Sequence, residues 1–350
     1  MQLGETSGLT LRGKLYLGVV GAFALGMASC ASAPELKKIE KQDFPAELPK
    51  ELVDKFTVAP SADAPTNPTV SPEGSPTPIA TKPKEDPKAK PKNSKTKKPE
   101  PAPEVFTYPS RRPVGAFPFN VGEKLVYEVT YIGMPAGTFT LEVLPFKEIN
   151  HRKVYHIKVT AVSSKLFSFI YRLNDTIESF LDFEGLFSHR FHLILDETVQ
   201  TRDSLELYDS EKKQTFFWNR NNHRDKGYKE EKNYFPMDPF PQDSVSSVYF
   251  VRTLPLSDGT TTKFPVVSEG KLWDLHLTVS RREETKNRAL GKVKAVVVRP
   301  ETQFRGALEK KGDMYLWYSD DERRYLIRLE AKVKIGAVKA ELIEATPGKP

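Results

Sequence analysis

Run after run in the C-terminal two-thirds of this chain alternates apolar and polar residues with a period of two. That rhythm restricts the fold to strands with one face buried and one face wet. In 124–131, Leu125, Tyr127, Val129 and Tyr131 take one side, Glu128 and Thr130 the other. The pattern returns at 137–143, 154–161, 176–183, 187–195, 204–208, 214–218, 271–279, 292–298, 313–318, 324–333 and 336–343. Glycine or Asx groups such as Asn221-Asn222, Asp258-Gly259 and Ser319-Asp320-Asp321 supply turn chemistry. One stretch reads clearly as a helix. Asp243 is a good N-cap, Val245, Val248, Tyr249 and Arg252 keep helical spacing, and Pro255 ends the run. Residues 164–173 read as a short helix or a loop. The expected fold is mainly β: a curled antiparallel sheet or open β-barrel, with one helix flanking or plugging it. Gly133-Met-Pro-Ala-Gly137 reads as a hairpin turn in which both glycines can take φ > 0 and Pro135 presets its own φ.

Only one cysteine, Cys30, occurs in 350 residues, so no disulfide can staple the sheet and a hydrophobic core must hold it. The net charge of +7 is spread thinly. Up to Glu104 there are 15 Lys and Arg against 13 Asp and Glu; from Val105 onward there are 38 against 33, interspersed. Nucleic acid is therefore not an expected partner, since that would need a concentrated basic face. Residues 60–104 hold 12 prolines, one glycine and no aromatic residue, too little apolar surface to offset ordering entropy. With eight lysines in 82–98, this stretch reads as a semi-rigid spacer, reaching on the order of 100 Å where extended. Its lysines offer contact with an anionic surface such as cell wall or lipid headgroups. The chain thus divides into a leader at 1–29, a disordered tether at 30–104, a β domain at 105–346 and a tail at 347–350. A helical turn or two within 35–56 is counted with the tether.

Cys30 follows an apolar run of about 15 residues, with Arg12 and Lys14 upstream and small residues at its end. The run is short of the roughly 20 residues that a membrane-spanning helix needs. Basic start, short apolar core and small residues form a secretory signal. Met27-Ala28-Ser29-Cys30 resembles the lipobox of bacterial lipoproteins, although Met27 stands where leucine is usual. The resemblance implies cleavage before Cys30 and a diacylglycerol on its sulfur, giving a membrane partner through several acyl chains. Ala31 rather than Asp after the cysteine implies an outer-membrane lipoprotein facing the periplasm. A plain secretory signal cut within 28–33 and a retained anchor are the alternatives.

The strand pattern also carries a family likeness. Residues 119–143, opening Phe119-Asn-Val-Gly-Glu-Lys-Leu-Val-Tyr-Glu-Val, resemble the first block of the DUF3108 family. Tyr171-Arg-Leu-Asn-Asp-Thr-Ile-Glu-Ser-Phe-Leu-Asp182 is similar to its second block, while 243–254, 312–321 and Ile335-Gly336 match later ones. The likeness covers about 119–342. It implies an exported bacterial β protein and brings no catalytic residues.

The residues themselves offer little chemistry. There is no Gly-x-Ser-x-Gly elbow, His-Glu-x-x-His or phosphate loop. Of the six histidines (His151, His156, His189, His192, His223 and His276) only His189 and His192 are close, and a spacing of three on a strand makes a poor metal pair. Neither a metal nor a cofactor is expected. Glu178 and Asp182 share one strand face and Asp175 takes the other. Paired carboxylates can serve glycoside hydrolysis, but cross-strand pairing with Arg and Lys is the commoner use. The Asn174-Asp-Thr176 sequon is discounted in a bacterial lipoprotein. Aromatic residues cluster in mid-domain. Phe167, Phe169, Phe216 and Trp218 are the candidate lining of an apolar groove, and Lys165-Leu-Phe-Ser-Phe-Ile170 is a candidate apolar lip. A large aromatic core explains the same residues. Three function classes follow: a non-enzymatic envelope lipoprotein binding an amphiphile, polysaccharide or envelope partner; a scaffolding module contacting the cell wall; and, weakest, an envelope hydrolase.

Overall fold

Nearly every alternating run becomes a strand, and the strands pair in chain order. The computed structural model describes residues 36–61, 106–115, 117–304, 314–333 and 336–349. Residues 106–108 group with a separate unit, 65–108, in which the Phe106 and Tyr108 rings meet edge-on at 5.2 Å. Everything below concerns the other unit.

After a short helix, α1 (Lys50–Phe56), and a two-residue strand, β1 (Ala59–Pro60), the first meander begins. It comprises β2 (Lys124–Tyr131), β3 (Met134–Ile149), β4 (Arg152–Ser163), β5 (Asn174–Asp182), β6 (Ser188–Asp196), β7 (Gln200–Asp209), β8 (Gln214–His223) and β9 (Gly227–Pro236), with α2 (Lys165–Ser168) between β4 and β5. Helix α3 (Ser246–Arg252) follows. A second meander then runs through β10 (Thr261–Ser268), β11 (Lys271–Asn287), β12 (Gly291–Phe304), β13 (Met314–Ser319), β14 (Leu326–Lys332) and β15 (Ala337–Thr346). β15 returns to pair with β2, so a 15-stranded antiparallel sheet curls round with β9 and β10 as its edges, not closed into a barrel. The gap is bridged locally. Gln242 pairs with the β10 edge through Gln242 N to Pro265 O (2.9 Å) and Val267 N to Gln242 O (2.8 Å). Strand β9 carries charge on both faces (Lys229, Glu230, Glu231, Lys232), which guards an exposed edge against foreign strands.

One face of the sheet encloses the main core. Tyr127, Tyr155, Ile157, Leu173, Tyr318 and Leu342 are fully buried there, together with Val248 and Tyr249 of α3, so of the two placements the sequence leaves open, flanking or plugging, the helix plugs the curl. The helix starts later than expected, at Ser246. The Asp243 carboxylate still caps it, accepting from the Val245 and Ser246 amides at 2.7 Å.

Two sequence expectations need correction. The β2–β3 turn is tighter than Gly133–Gly137: Ile132 and Gly133 have φ of 49° and 76°, and the strand resumes at Met134. Gly137 is not in a left-handed conformation. It is glycine because a Cβ there would stand 2.3 Å from the Val162 carbonyl oxygen on β4. The tether is also shorter than composition suggests. Residues 36–61 lie against the face of the sheet opposite the main core, where Leu48, Leu52 and Phe56 pack with Ile149, Val154, Phe180, Leu205, Leu207, Phe216 and Trp218. β1 then pairs with β3 at Ala59↔Glu148 and Pro60↔Lys147. A sequence of Leu, Leu and Phe four residues apart gives α1 an apolar stripe. This strap is held by burial, so it belongs to the folded body. The rest of the expected tether, 62–104, lies outside the described residues.

Candidate functional site

Six of the ten large apolar side chains that stand exposed among the described residues gather at one end of the sheet. Ile132 and Met134 come from the β2–β3 turn, Val162 from the end of β4, and Leu166, Phe169 and Ile170 from the β4–β5 connection. Leu166 and Phe169 expose 78% and 87% of their surface. The local sequence dictates this projection. Ser164 caps α2, its Oγ accepting from the Phe167 amide at 3.2 Å. The Ser164 amide donates to the Ala136 carbonyl (2.8 Å) and its hydroxyl to the Pro135 carbonyl (3.1 Å), which pins the connection onto β3. One turn of helix then sends Phe167 inward, edge-on to Tyr131 at 6.5 Å, and leaves Leu166, Phe169 and Ile170 outside. Ile132, a β-branched residue at positive φ, adds strain at the same place. Each such side chain forgoes about 1.5–3 kcal/mol of burial, and contiguous exposure of this kind marks an interaction surface.

Directly after the lip, Tyr171 turns into the protein. Its hydroxyl donates to Glu197 Oε2 at 2.8 Å, where Gln200 Nε2 also donates at 2.7 Å. Asp175 lies beside Glu197 and accepts from the Asp196 amide at 3.1 Å. All three of Tyr171, Asp175 and Glu197 are buried. Burial first, and then the neighbouring Glu197 charge, pushes the Asp175 carboxyl up to about 9; burial likewise raises Glu197. The pair therefore holds a proton at neutral pH. Sealed from solvent, it acts as a lock that fixes Tyr171 and the lip. Because the native pair binds its proton more tightly than the unfolded chain, its stabilisation is complete below pH ~4 and is lost as pH rises towards about 9. Asp175→Asn, neutral throughout, is expected to remove on the order of a few kcal/mol of this alkaline loss. Thermal melts at pH 5 and pH 9 check it; an unchanged difference between them would refute the shared proton.

The other residues singled out from sequence are dispersed. Cys30 lies outside the described residues. Phe167 is buried under the lip and Phe169 stands on it, but Phe216 and Trp218 sit on the opposite face of the sheet, beneath the strap. The four therefore do not line one groove. Trp218 donates its indole N–H to Glu230 at 2.8 Å, and the cavity between strap and sheet, lined by Leu52, Phe56, Leu207, Phe216 and Tyr234, is only ≈ 220 Å³. Ligand pockets generally start near 300 Å³. Glu178 and Asp182, which share a face of β5, are paired with basic side chains, whereas among the described residues Asp175 on the other face is not. Glu178 meets His156 at 3.0 Å and Lys41 of the strap, and the His156 hydrogen bond is the chief cause holding it far below its usual range. Burial would raise Asp182, but His189 (2.9 Å) and a bidentate Arg152 (2.6 and 2.8 Å) outweigh it and lower the group. His192 bonds a different carboxylate, Asp203, which Arg220 also holds. Among the described residues no three His, Cys, Asp or Glu side chains could hold a metal. Sequence reasoning missed Glu197 and Gln200. Glu197 comes beside Asp175 only once β5 and β6 are set in register, where it pairs with Leu173, and Gln200 only through the β6–β7 turn.

Comparison with known proteins gives a family but no activity. The family described as "protein of unknown function (DUF3108)" matches residues 126–343. Among solved structures, a β-barrel-like protein of the domain of unknown function DUF1849 from Brucella abortus is 8% identical, covers 66% of this chain and 100% of its own, and gives a TM-score of 0.45. A protein from Bacteroides fragilis described as a candidate exported protein with a YmcC-like fold is 10% identical, with 66% and 98% coverage and a TM-score of 0.31. A candidate lipoprotein from Parabacteroides distasonis is 10% identical, with 66% and 99% coverage and a TM-score of 0.30. No curated protein matches the chain.

Proposed function

The chain belongs to the DUF3108 family of proteins of unknown function, and from that premise we propose that it is a lipid-anchored, non-enzymatic envelope protein that binds an amphiphile at its apolar rim. The exposed cluster of Leu166, Phe169, Ile170 and Met134 carries this reading. Cys30 supplies the anchor: its thioether-linked diacylglycerol and a further acyl chain hold the protein on the outer membrane, facing the periplasm. Titratable groups give an enzyme little support. The carboxyls that burial raises, Asp175, Glu197 and Glu206, are buried in hydrogen-bond networks. The Asp243 carboxylate is likewise enclosed, accepting from Ser179 and Ser188.

Two measurements test this. Palmitate labelling should mark the chain and vanish in Cys30→Ala; unchanged processing of that variant would refute the anchor. Native mass spectrometry of the full chain taken from the envelope should show a co-purifying amphiphile. Leu166→Ser with Phe169→Ser should cut its occupancy about tenfold or more, as the loss of two apolar contacts requires. Absence of any bound amphiphile from the wild type would sink the binding role while leaving the anchor standing.

A further inference from the structure

The strap begins at the rim end of the sheet. Thr201 Oγ1 donates to the Lys37 carbonyl at 3.0 Å and Asn222 Nδ2 donates to it at 3.2 Å. Lys38 pairs with Asp196 at 2.8 Å, and the same carboxylate takes Arg172, two residues beyond Ile170, also at 2.8 Å. Thr201 opens β7, Asp196 closes β6 and Asn222 lies at the close of β8. These strand ends share the end of the sheet on which the β2–β3 turn and the β4–β5 connection carry the rim, since β2 to β9 alternate in direction. From there the strap crosses the sheet, and β1 reaches the far end, where it pairs beside Ile149.

Leu36 follows Cys30 by six positions. Six residues span at most about 20 Å. Strand β3, 16 residues long, separates the rim from the far end by on the order of 50 Å. A bilayer holding Cys30 can therefore touch the rim, and the short reach keeps the far end away from it. The Pro/Lys stretch that composition offers as a spacer begins only after the strap, so it does not lie between Cys30 and the sheet. Lys165 and Lys332 are exposed at this end, basic side chains suited to anionic headgroups.

We infer that the rim of Ile132, Met134, Val162, Leu166, Phe169 and Ile170 seats in the same lipid leaflet that holds the acyl chains of Cys30, so that the amphiphile it meets is membrane lipid presented in cis. This rests on the reading of Cys30 as the anchor. Side chains as exposed as Phe169 would enter the boundary between headgroups and acyl chains, to a depth of about 5–10 Å.

The test uses the full-length processed protein reconstituted into phosphatidylethanolamine–phosphatidylglycerol vesicles that contain acyl-chain bromolipid. Phe169→Trp reports from the rim, and Glu322→Trp, exposed in the β13–β14 turn at the far end, is the control. The native tryptophans Trp218, Trp273 and Trp317 are buried and common to both. Bromolipid is expected to remove most of the emission added by Phe169→Trp and none of that added by Glu322→Trp. Palmitate incorporation is measured on the same samples. Equal quenching at the two positions, or none at position 169 in labelled protein, overturns the seating of the rim and leaves the anchor intact. Loss of the palmitate label from the wild type overturns the anchor and this inference with it. A rim covered by a second copy of the chain would appear as a dimer in sedimentation with the position-169 emission unquenched, and that also overturns the inference.

Discussion

Arg252→Met is expected to destabilise the protein by about 3–5 kcal/mol, the cost of breaking a buried ion pair. Arg252 ends α3 inside the curl. Its guanidinium is bidentate to Glu123 (2.6 and 2.8 Å) and donates to the carbonyls of Pro118 (2.7 Å) and Arg323 (2.9 Å). Both members of the pair are fully buried. The rings of Phe119, Tyr249 and Tyr325 stand within 5.2–5.4 Å of the guanidinium and keep water out. A methionine fills much of the volume but leaves an uncompensated carboxylate and unsatisfied carbonyls. For a domain of this size the melting temperature should fall by on the order of ten degrees. Adding Glu123→Leu removes the stranded charge and should recover a large part of the loss. A drop below ~1 kcal/mol in the single variant, or no recovery in the double, would show that the plug is held by its apolar contacts alone.

The sheet was legible because its signal is local. Lys124–Tyr131 is a strand with the alternating face predicted for it, and 176–183 differs from β5 by one or two residues. Strand β9 was not legible. Its sequence, Gly-Tyr-Lys-Glu-Glu-Lys-Asn-Tyr-Phe-Pro, is an edge with solvent on both sides, so it needs no apolar face. Strand β10 was missed as well; only part of it alternates. Asp243 was correctly read as a cap, but its Ser179 and Ser188 partners lie 64 and 55 residues away. The site shows the same limit more sharply. The 165–170 lip could be read from composition, because a short apolar run beside a cap must put something outside. Its union with Ile132 and Met134 depends on strand order. Phe216 and Trp218 were read as candidate lining of an apolar groove. Both are buried, because the strap, more than 150 residues earlier in the chain, covers that face. A binding groove and a docked segment of the same chain produce identical patterns along a strand. Only the three-dimensional structure distinguishes them.

Phe56→Ala should release the strap while leaving the sheet folded. Phe56 is 1% exposed, and its carbonyl accepts from Arg190 Nη1 at 3.1 Å. Truncating a buried phenylalanine costs about 3–5 kcal/mol. The remaining ties are Leu48 and Leu52 of the same cluster, the buried Lys55–Asp209 pair at 2.9 Å, hydrogen bonds to strap carbonyls, and ion pairs with an exposed partner, such as Lys212 with Glu51 and Lys232 with Glu47, which contribute about 0–1 kcal/mol each. The strap's own cluster is separate from the main core, so its loss need not spread. Trp218 would then meet water. The expected result is a red shift of tryptophan emission and new protease cleavage within 36–61, while far-ultraviolet circular dichroism of the sheet is retained. Protease resistance equal to wild type would refute the strap as a detachable unit. On a bilayer the consequence is geometric. With the strap released, the chain between Cys30 and the sheet grows from six residues to about thirty, a reach of roughly 100 Å. On the inferred seating, bromolipid quenching at position 169 should then fall in Phe56→Ala, because the short link would no longer hold the rim at the membrane.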